Sequence, residues 1–311
     1  MDPLSHWLAL MPVSGRVETR CHFGAPWRIA PGPAGQLEIP FHVLLTGSAV
    51  LEMRGRPPQT LQPGDVVLLP HGDAHSLHDG SGRRTSPAVE RPSAVLSVAE
   101  NGGRGAEADI LCGRFLLSAH AAPMARQFLP ASLVVRSAPA AAQALAQLIE
   151  LMRLEAQEEG PGSGAIIGHL CGALFSLALR RASQDTDDAP TLLALTHRRA
   201  LQPALMAMFT EPHKPWTLPA LAALCHMSRA TLIRQFETAT GHSPAELLLQ
   251  IRMARAMQRL LQSERSVAAI ADEVGYQSEA AFQRAFKRHL GVTPARFRAD
   301  HTAGAAGAAG S

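Results

Sequence analysis

The fold of the C-terminal part of the chain is decided by the stretch SVAAIADEVGYQSEAAFQRAFKRHLGVTPARFR, residues 266–298. Apolar residues recur through it at the spacing that places them on one side of a helix. They are Val267, Ile270 and Ala271 for a first helix and Phe282 and Phe286 for a second. Gly275 stands between the two groups, where a tight turn favours the positive φ that glycine adopts at low cost. Ser278 is placed to cap the second helix, so the pattern predicts a helix-turn-helix.

The same pattern occurs about fifty residues earlier, in WTLPALAALCHMSRATLIRQF, residues 216–236. The apolar positions of its first helix are Leu218, Leu221, Ala222 and Leu224, followed by a turn at His226 and Met227. Ser228 then corresponds to Ser278, and Phe236 corresponds to Phe286. One such helix pair is as compatible with an ordinary αα-hairpin as with DNA binding. Two copies in register favour a pair of DNA-reading motifs.

Between the two motifs, residues 244–261 are predicted to form one helix with Leu248, Ile251 and Ala254 on its inner side. About seventeen residues at 1.5 Å per residue give a rod of about 25 Å. A rod of that order can hold two reading helices near the one-turn repeat of DNA, about 34 Å. The sequence therefore predicts two readers that enter successive major grooves from one side.

The charge distribution differs between the two parts of the chain. Residues 191–311 hold 14 Lys and Arg against 8 Asp and Glu, a net charge of +6, whereas residues 1–190 hold 15 against 18, a net charge of −3. Residues 188–190 are interpreted as a linker between them. A basic excess fits a phosphate partner, although many solvated surfaces are also basic.

Length and composition exclude several classes of protein. A chain of 311 residues with 46% hydrophobic and 18% charged residues fits two globular domains and excludes a disordered chain, a collagen and a multi-span membrane protein. The apolar stretch 165–179 falls short of a bilayer crossing, and the N-terminus lacks the basic residues of a signal peptide. Four widely spaced cysteines indicate mostly reduced thiols. We therefore expect a cytoplasmic protein with no membrane partner.

The N-terminal part shows short β-like runs, punctuated by Gly and Pro, from about residue 17 to residue 118. They are PFHVLLTG, SAVLEMRG, DVVLLP, SAVLSVAE and DILCGRFLLS. Such runs predict a small antiparallel barrel or sandwich. Residues 80–93 and 101–108 are rich in Gly, Ser and Arg and are predicted to be mobile loops.

Two amphipathic helices are predicted after Pro139. Their apolar positions are Leu145, Leu148, Ile149 and Met152 in the first, and Ile166, Ile167, Leu170, Leu174 and Leu177 in the second. The apolar face is broad, so dimerisation through these helices and simple core packing are both open. The segment 301–311 is of low complexity and predicted to be disordered.

The run GDVVLLPHGDAHSLHD, residues 64–79, resembles the second sequence motif of the cupin family through its Gly, Pro, Gly, His and Asp spacing. Metal-binding cupins carry two histidines and a glutamate just before the strand equivalent to residues 42–45, and here that region reads PGPAGQLEIP. The histidines His42, His71, His75 and His78 are candidates for a ligand or metal site. A structural or hydrogen-bonding role is the preferred interpretation, and no cofactor is expected.

Two cysteines offer a different sensor chemistry. Cys21, followed by His22, lies ahead of the predicted barrel, and Cys112 lies in a late strand. Folding of a barrel can bring them together, and a thiolate beside a cationic group oxidises readily. A free cysteine is also often a small buried hydrophobe, so both readings remain open. Cys171 and Cys225 are interpreted as structural.

Residues 216–297 resemble the signature DNA-binding domain of AraC/XylS-type transcription regulators. The resemblance implies a bacterial, sequence-specific DNA binder, often an activator acting with RNA polymerase. It assigns base reading to Arg229, Ala230, Ile233 and Arg234 in the first motif and to Glu279, Ala280, Gln283 and Arg284 in the second. Ala230 and Ile233 depart from the polar or aromatic residues often found there. Arg234 and Arg284 are the favoured guanine contacts. Phosphate contacts or solvated charges are predicted for Arg252, Arg255, Lys287 and Arg288.

The segments MDPLSHWLALMP, CHFGAPW, the cupin run and ILCGRF together resemble a subgroup of these regulators that responds to reactive chlorine species through oxidised cysteines. That resemblance implies redox sensing by Cys21 and Cys112. The predicted fold class is α+β, an N-terminal cupin β-barrel with two following helices and then an all-α domain of two helix-turn-helix motifs joined by a linker helix. The predicted domains are a sensor (1–137), a helical dimerisation region (138–190) and a DNA-binding domain (191–300).

We thus expect a homodimeric regulator of promoter DNA that is not an enzyme. Two alternatives remain open from the sequence. In one, the barrel binds a small molecule and the thiols are bystanders. In the other, a metal-dependent cupin enzyme is fused to a DNA-binding domain, which the missing ligands of the first motif disfavour.

Overall fold

The computed structural model describes residues 2–93, 95–137, 143–158, 160–184 and 191–300. The chain forms two compact units: Pro12–Asp187, here called the sensor unit, and Asp188–Ser311 together with Met1–Met11, here called the reading unit. The first eleven residues, which contain helix α1 (Pro3–Leu10), therefore lie with the C-terminal part. Sequence reasoning assigned them to the sensor. The predicted linker at 188–190 and the predicted disordered tail lie outside the described residues.

Two β-sheets build the sensor unit. The strands are β1 (Val13–Gly24), β2 (Arg28–Ile29), β3 (Glu38–Thr46), β4 (Ala49–Met53), β5 (Gln59–Leu61), β6 (Val66–Leu68), β7 (His75–His78), β8 (Ala88–Pro92), β9 (Ser97–Asn101), β10 (Glu107–Leu117) and β11 (Leu133–Val135). The larger sheet has the order β11-β6-β3-β10-β1-β9-β8, and the smaller has the order β2-β7-β4-β5. The predicted cupin domain is confirmed as a strand-rich, two-sheet structure.

The register of three neighbouring strands places the sensor residues. Strand β10 runs antiparallel to both β1 and β3, with Cys21 opposite Ile110 and Cys112 opposite His42. Successive side chains of a strand point to opposite faces. Cys21 and Ile110 therefore join the apolar core between the sheets, against which Cys112 packs.

The described residues of the sensor unit also form the helices α2 (Ala122–Phe128), α3 (Gln143–Glu158) and α4 (Ser163–Gln184). Helix α4 crosses β1 where Gly15 permits close approach, because a Cβ there would lie 2.5 Å from the Cβ of Cys171. The ring of Phe175 packs edge-on against Phe115 at 5.1 Å. Helix α4 is long and apolar enough to cross a membrane by length and composition, which corrects the expectation that this stretch is too short. Its inner face packs in the core of the sensor unit.

Several of the described strands lie outside the predicted β-like runs, and β1 and β8 are the clearest cases. Strand β1 carries the sequence VSGRVETRCHFG, whose many polar residues give no β-like apolar run, so Cys21 lies inside the sheet rather than ahead of it. Strand β8 lies within the predicted loop 80–93, and all five of its residues are exposed. It pairs with β9 and extends the edge of the larger sheet. A strand without a buried face leaves no period-2 signal in the sequence.

The reading unit consists of helices. They are α5 (Leu192–His197), α6 (Gln202–Thr210), α7 (Leu218–Leu224), α8 (Arg229–Thr240), α9 (Pro244–Gln262), α10 (Val267–Glu273) and α11 (Glu279–Leu290), followed by helical residues 294–300. Ser228 and Ser278 cap α8 and α11 as predicted. The linker helix α9, with 19 residues, is about 28 Å long.

The turns of the two motifs each contain a residue with positive φ, but the residue type differs. Gly275 has φ +88°, as its position predicts, whereas His226 occupies the corresponding turn with φ +52°. A non-glycine residue in this region is strained by roughly 1–2 kcal/mol. The first turn also has one residue fewer before its capping serine, so the two copies are in register only from that serine onward.

Helix α1 is part of the core of the reading unit. Asp2 caps it through the backbone N–H of Ser5, and Trp7, Leu10 and Met11 are buried. The ring of His6 stacks on Phe209 of α6 at 6.2 Å. The N-terminal helix is therefore packed against α6, within the same unit as the two helix-turn-helix motifs.

Candidate functional site: two reading helices and a thiol–histidine cluster

The inner and outer faces of α8 and α11 divide as the sequence predicts. Leu232 and Phe236 of α8 and Phe282 and Phe286 of α11 are fully buried. The predicted reading residues of the second helix, Glu279, Ala280, Gln283 and Arg284, are all exposed, as are Arg229, Ala230 and Arg234 of the first, while Ile233 is half-buried. Each helix thus leaves one exposed face available for a partner.

The two outer faces differ in chemistry. In α11, Gln283 Nε2 donates a 2.8 Å hydrogen bond to Glu279, so these two side chains support each other. In α8 the predicted reading positions between Arg229 and Arg234 are occupied by Ala230 and Ile233, whose side chains have no polar atom. Within the described ranges, neither Arg234 nor Arg284 pairs with a carboxylate. Both guanidinium groups are free to take the bidentate guanine contact.

Two arginines predicted as phosphate contacts or solvated charges have another role. Arg252 donates from Nε to the carbonyl oxygen of Pro212 at 2.7 Å and from Nη2 to that of Lys214 at 2.8 Å. Arg255 donates to the carbonyl oxygen of Phe209. Burial lowers the pKa of both guanidinium groups. These contacts correct the interpretation of both as solvated charges. Lys287 and Arg288 are exposed in the last turn of α11, and a phosphate role for them stays a prediction.

The two predicted sensor cysteines meet in the sensor unit. Cys21 Sγ lies 4.0 Å from Cys112 Sγ, and Cys112 Sγ lies 3.1 Å from Nδ1 of His42. His42 Nε2 is 2.7 Å from Nε2 of His75, whose Nδ1 is 3.0 Å from the carbonyl oxygen of Asp73. These four side chains are here called the thiol–histidine cluster.

The carbonyl of Asp73 fixes the direction of the hydrogen bonds. A carbonyl oxygen only accepts, so His75 donates from Nδ1 and accepts at Nε2. His42 then donates from Nε2 and accepts at Nδ1, which receives the S–H of Cys112. Cys21 in turn donates its S–H toward the sulfur of Cys112. The proton of Cys112 therefore has an acceptor in place.

Burial keeps the cluster neutral at ordinary pH. Burial, together with the charge of His75, lowers the pKa of His42 to about 3. Burial also lowers the pKa of His75, against the hydrogen bond to Asp73. The hydrogen bond with Cys21 and burial raise the pKa of Cys112 well above its usual range. The resting state is thus a thiol beside a neutral imidazole.

The four histidines named from the cupin motif do not converge. Only His42 and His75 meet, while His71 Nε2 lies 3.0 Å from the carbonyl oxygen of Leu129 and His78 lies 3.6 Å from Glu52. Each ring nitrogen of His42 already faces a different partner. Among the described residues, no three His, Cys, Asp or Glu side chains are placed to hold a metal ion. The arrangement suits proton transfer rather than metal ligation.

A cleft of about 350 Å³ reaches the thiols. Its lining includes Cys21, Cys112 and His42, and its rim includes the exposed residues Gly32 and Glu90. Both cysteines therefore line a cleft that has exposed residues at its rim.

Cys171 and Cys225 have different surroundings. Both are buried, and burial raises the pKa of Cys171 to about 12 and also raises that of Cys225. Their thiols are poor nucleophiles, because the reactive species is the thiolate.

Sequence reasoning did not predict that His42 and His75 serve the cysteines. It proposed them only for a ligand or metal, because the register that places His42 opposite Cys112 cannot be read from local spacing. It also missed the contacts of Arg252. The sequence held one clue to the contact of His42 with Cys112, because both residues lie inside predicted strands that can pair.

Comparison with known proteins gives matches to both parts of the chain. Residues 2–184 match the family described as Cupin, and residues 221–300 match the family described as Helix-turn-helix domain.

Curated relatives match nearly the whole chain. The RCS-specific HTH-type transcriptional activator RclR of Escherichia coli K12 is 31% identical over 301 residues, which cover 96% of this chain and 97% of that protein. An uncharacterised HTH-type transcriptional regulator of Haemophilus influenzae is 32% identical over 300 residues, with 96% and 97% covered. The HTH-type transcriptional regulator MtrA of Neisseria gonorrhoeae is 28% identical over 303 residues, with 96% and 98% covered.

Among solved structures, the DNA-binding domain of AdpA in complex with a target DNA is 33% identical, with a TM-score of 0.32. The match covers 33% of this chain and 93% of that domain.

Proposed function

Since the chain belongs to the AraC family of DNA-binding transcription regulators, with an N-terminal cupin domain, we propose that it activates transcription when Cys21 and Cys112 are oxidised. It is not an enzyme, because its full-length relatives are transcription regulators. The observation that carries the proposal is the contact of the two thiols, 4.0 Å apart, in a cleft that has exposed residues at its rim.

The DNA contacts follow from the exposed faces of α8 and α11. Arg234 and Arg284 read guanine, while Lys287 and Arg288 contact phosphates. Arg229, Glu279 and Gln283 supply further polar contacts at the groove, and Ala230, Ala280 and Ile233 pack against bases. The first helix therefore depends more on shape and apolar contact than the second does.

The sensing chemistry is a two-electron oxidation of the thiol pair. Hypochlorous acid transfers chlorine to the sulfur of Cys21, and water leaves with the proton of that thiol. The sulfur of Cys112 then attacks the sulfur of Cys21, chloride leaves, and the proton of Cys112 passes to Nδ1 of His42. In sum, two thiols and one hypochlorous acid give a disulfide, water, chloride and a proton.

Disulfide formation requires strands β1 and β10 to shift relative to each other. The sulfurs must close from 4.0 Å to about 2 Å, across a diagonal pair on β1 and β10. Cys112 then no longer donates to His42, so the hydrogen-bond chain to Asp73 loses its first bond. Strand β1 packs on α4 at Gly15, and β1 begins two residues after Met11, which belongs to the reading unit. A shift of β1 therefore acts on α1 through the chain itself.

A second copy of the chain is the partner that we propose for α3 and α4. Leu151, Leu154 and Ile166 on these helices are each about two-fifths exposed, at 43%, 39% and 39%. Large apolar side chains grouped on a surface favour an interaction site. Sedimentation of wild type and of Leu151→Glu tests this: a dimer for wild type and a monomer for the variant are expected. Wild type that sediments as a monomer would refute it.

We further propose that the dimer acts in the cytoplasm, with RNA polymerase as the partner at the promoter.

The redox proposal is tested with reduced full-length protein treated with one equivalent of hypochlorous acid. Peptide mapping is expected to give a Cys21–Cys112 disulfide, and transcription from a bound promoter is expected to rise and to fall again after reduction. Cys21→Ser should not respond. Cys171→Ala, which removes a buried thiol outside the cluster, should respond as wild type does. A full response by Cys21→Ser would exclude this mechanism.

A small-molecule sensor is the second candidate, and the volume of the cleft favours it. The lining combines apolar residues such as Phe23 and Ile29 with charged residues such as Arg28 and Arg114. Thermal shift in reducing buffer against a metabolite set distinguishes the two. Stabilisation of both wild type and Cys21→Ser by one compound supports this candidate. No stabilisation by any compound counts against it.

A further inference from the structure

The two reading motifs are tied together at Arg252, which lies on the linker helix α9. The segment 211–216, here called the strap, joins α6 to the first motif. Arg252 donates to two carbonyl oxygens of the strap, those of Pro212 and Lys214, at 2.7 and 2.8 Å. Two bonds from one planar guanidinium hold the strap in a fixed orientation on α9.

The same guanidinium contacts the second motif. It lies over the ring of Tyr276, 5.9 Å from the centroid, in the turn between α10 and α11. Tyr276 packs edge-on against Phe282, the buried residue at the start of α11, with ring centroids 5.5 Å apart. Arg252 therefore reaches the second reading helix through an aromatic contact.

Backbone packing brings the strap and the second turn together at the same place. Gly275 has φ +88°, and a Cβ there would lie 2.5 Å from the carbonyl oxygen of His213 in the strap. The strap of the first motif and the turn of the second are thus in contact, with Arg252 bonded to one and stacked on the other.

Arg298 makes a similar pair of backbone hydrogen bonds at another place in the reading unit. It donates from Nε to the carbonyl oxygen of Leu260 at 3.1 Å and from Nη2 to that of Arg265 at 2.7 Å. Leu260 lies in the last turn of α9 and Arg265 lies just before α10, so this arginine binds the segment that enters the second motif. These two hydrogen bonds are of the same kind as those of Arg252, but their carbonyl oxygens lie outside the strap.

We propose that Arg252 is the positioning residue that sets how many base pairs may separate the two DNA blocks read by α8 and α11. Because the two motifs are held in one geometry, the second block must lie at one rotation around the duplex. One added base pair turns that block by roughly 35° and moves it about 3.4 Å. A rigid pair of readers penalises this shift, whereas a loosened pair adapts to it. The proposal rests on the proposed function, in that both helices read DNA.

The test uses a site selected by full-length wild type from a random double-stranded library. A series is then made with one or two base pairs inserted or removed between the two blocks. Affinities are measured for wild type, Arg252→Lys, Tyr276→Leu, Tyr276→Phe and Arg298→Lys. Arg252→Lys keeps the positive charge but cannot make both carbonyl bonds in the same plane. Thermal unfolding of each variant is measured in parallel.

Wild type is expected to lose about tenfold or more in affinity for each shifted spacing, in line with the loss of base contacts. For Arg252→Lys and Tyr276→Leu the loss should fall to about threefold or less, because the second reader can reorient. Tyr276→Phe, which keeps the ring, and Arg298→Lys should retain the wild-type penalty, even where they lower the melting temperature. If Arg252→Lys does not fold, Tyr276→Leu carries the comparison.

Three results would overturn the proposal, each for a different reason. Arg252→Lys and Tyr276→Leu could bind every spacing more weakly than wild type by the same factor, so that the loss of affinity for a shifted spacing is unchanged. Arg252 would then be a general support or a phosphate contact. If wild type selects a site with a single block, the two-reader function itself fails. The same relaxation in Arg298→Lys would also contradict the assignment, because any loosening of the unit would then suffice.

Discussion

The outer faces of α8 and α11 and the thiol–histidine cluster are opposite kinds of functional region. The residues proposed to read DNA, Arg234 and Arg284, are exposed, so they are available to a partner without a change in fold. The cluster residues Cys21, His42 and His75 are buried and bonded in a chain. We expect a change on the first surface to alter binding alone, and a change in the cluster to alter stability, proton balance and strand position together.

The largest expected effect is on the free energy of unfolding, and it should differ between the buried and the exposed face of α11. Phe286 is fully buried between Phe282 and Phe297, with ring centroids 5.5 and 5.7 Å away. Phe286→Ala should lower the free energy of unfolding by about 3–5 kcal/mol. Gln283→Ala, on the exposed face, should change it by less than about 0.5 kcal/mol. Urea denaturation measures both. Similar losses for the two variants would show that α11 has no free face.

The next effect is a pH dependence carried by the cluster. The pKa of His42 is about 3 in the folded protein, below its value in the unfolded chain, so the unfolded chain takes up the proton first. The contribution of His42 to the free energy of unfolding is therefore fully present above about pH 6.5 and is lost as the pH falls toward 3. Between pH 7 and pH 5, wild type should lose about 2 kcal/mol more than His42→Gln. Parallel losses for the two proteins in urea denaturation would place His42 outside the buried chain.

A smaller effect on DNA affinity should follow from the reading face. Arg284→Ala and Arg234→Ala should each weaken binding to a selected site by about 1–3 kcal/mol, roughly fivefold to 150-fold in affinity, because a bidentate guanine contact is lost. Random DNA should be affected far less, and the melting temperature should not change. Fluorescence anisotropy with both DNAs checks this. Equal losses on both DNAs would reassign that arginine to phosphate contact.

The smallest effect concerns the last turn of α11. Lys287→Ala should weaken selected and random DNA alike and should reduce the slope of log affinity against log salt by about 0.9. Titrations at several salt concentrations measure the slope. An unchanged slope would mean that Lys287 faces solvent in the complex.

The contrast between the two regions also explains what the sequence could predict. The helix-turn-helix motifs were predictable because helical spacing separates the buried Phe236 and Phe286 from the exposed arginines within one local stretch. The cluster was only partly predictable. Its cysteines were identified, but their contact depends on the register of β1, β10 and β3, which is set by pairing over about ninety residues of chain.

Other features depend on contacts that no local pattern encodes. The packing of α1 on the reading unit rests on Trp7, an apolar residue that looks the same in any core. The bonds of Arg252 to Pro212 and Lys214 depend on the path of a loop, so an arginine on the polar side of a helix was read as a phosphate contact or a solvated charge. Strand β8 has no buried face and so no alternation to detect.

Selection of binding sites from random duplex DNA, followed by footprinting of full-length protein on the selected sequence, shows whether α8 and α11 both read DNA. We expect two protected blocks on one side of the duplex, about ten base pairs apart from centre to centre. Protection of a single block, or binding without a preferred sequence, would contradict this expectation.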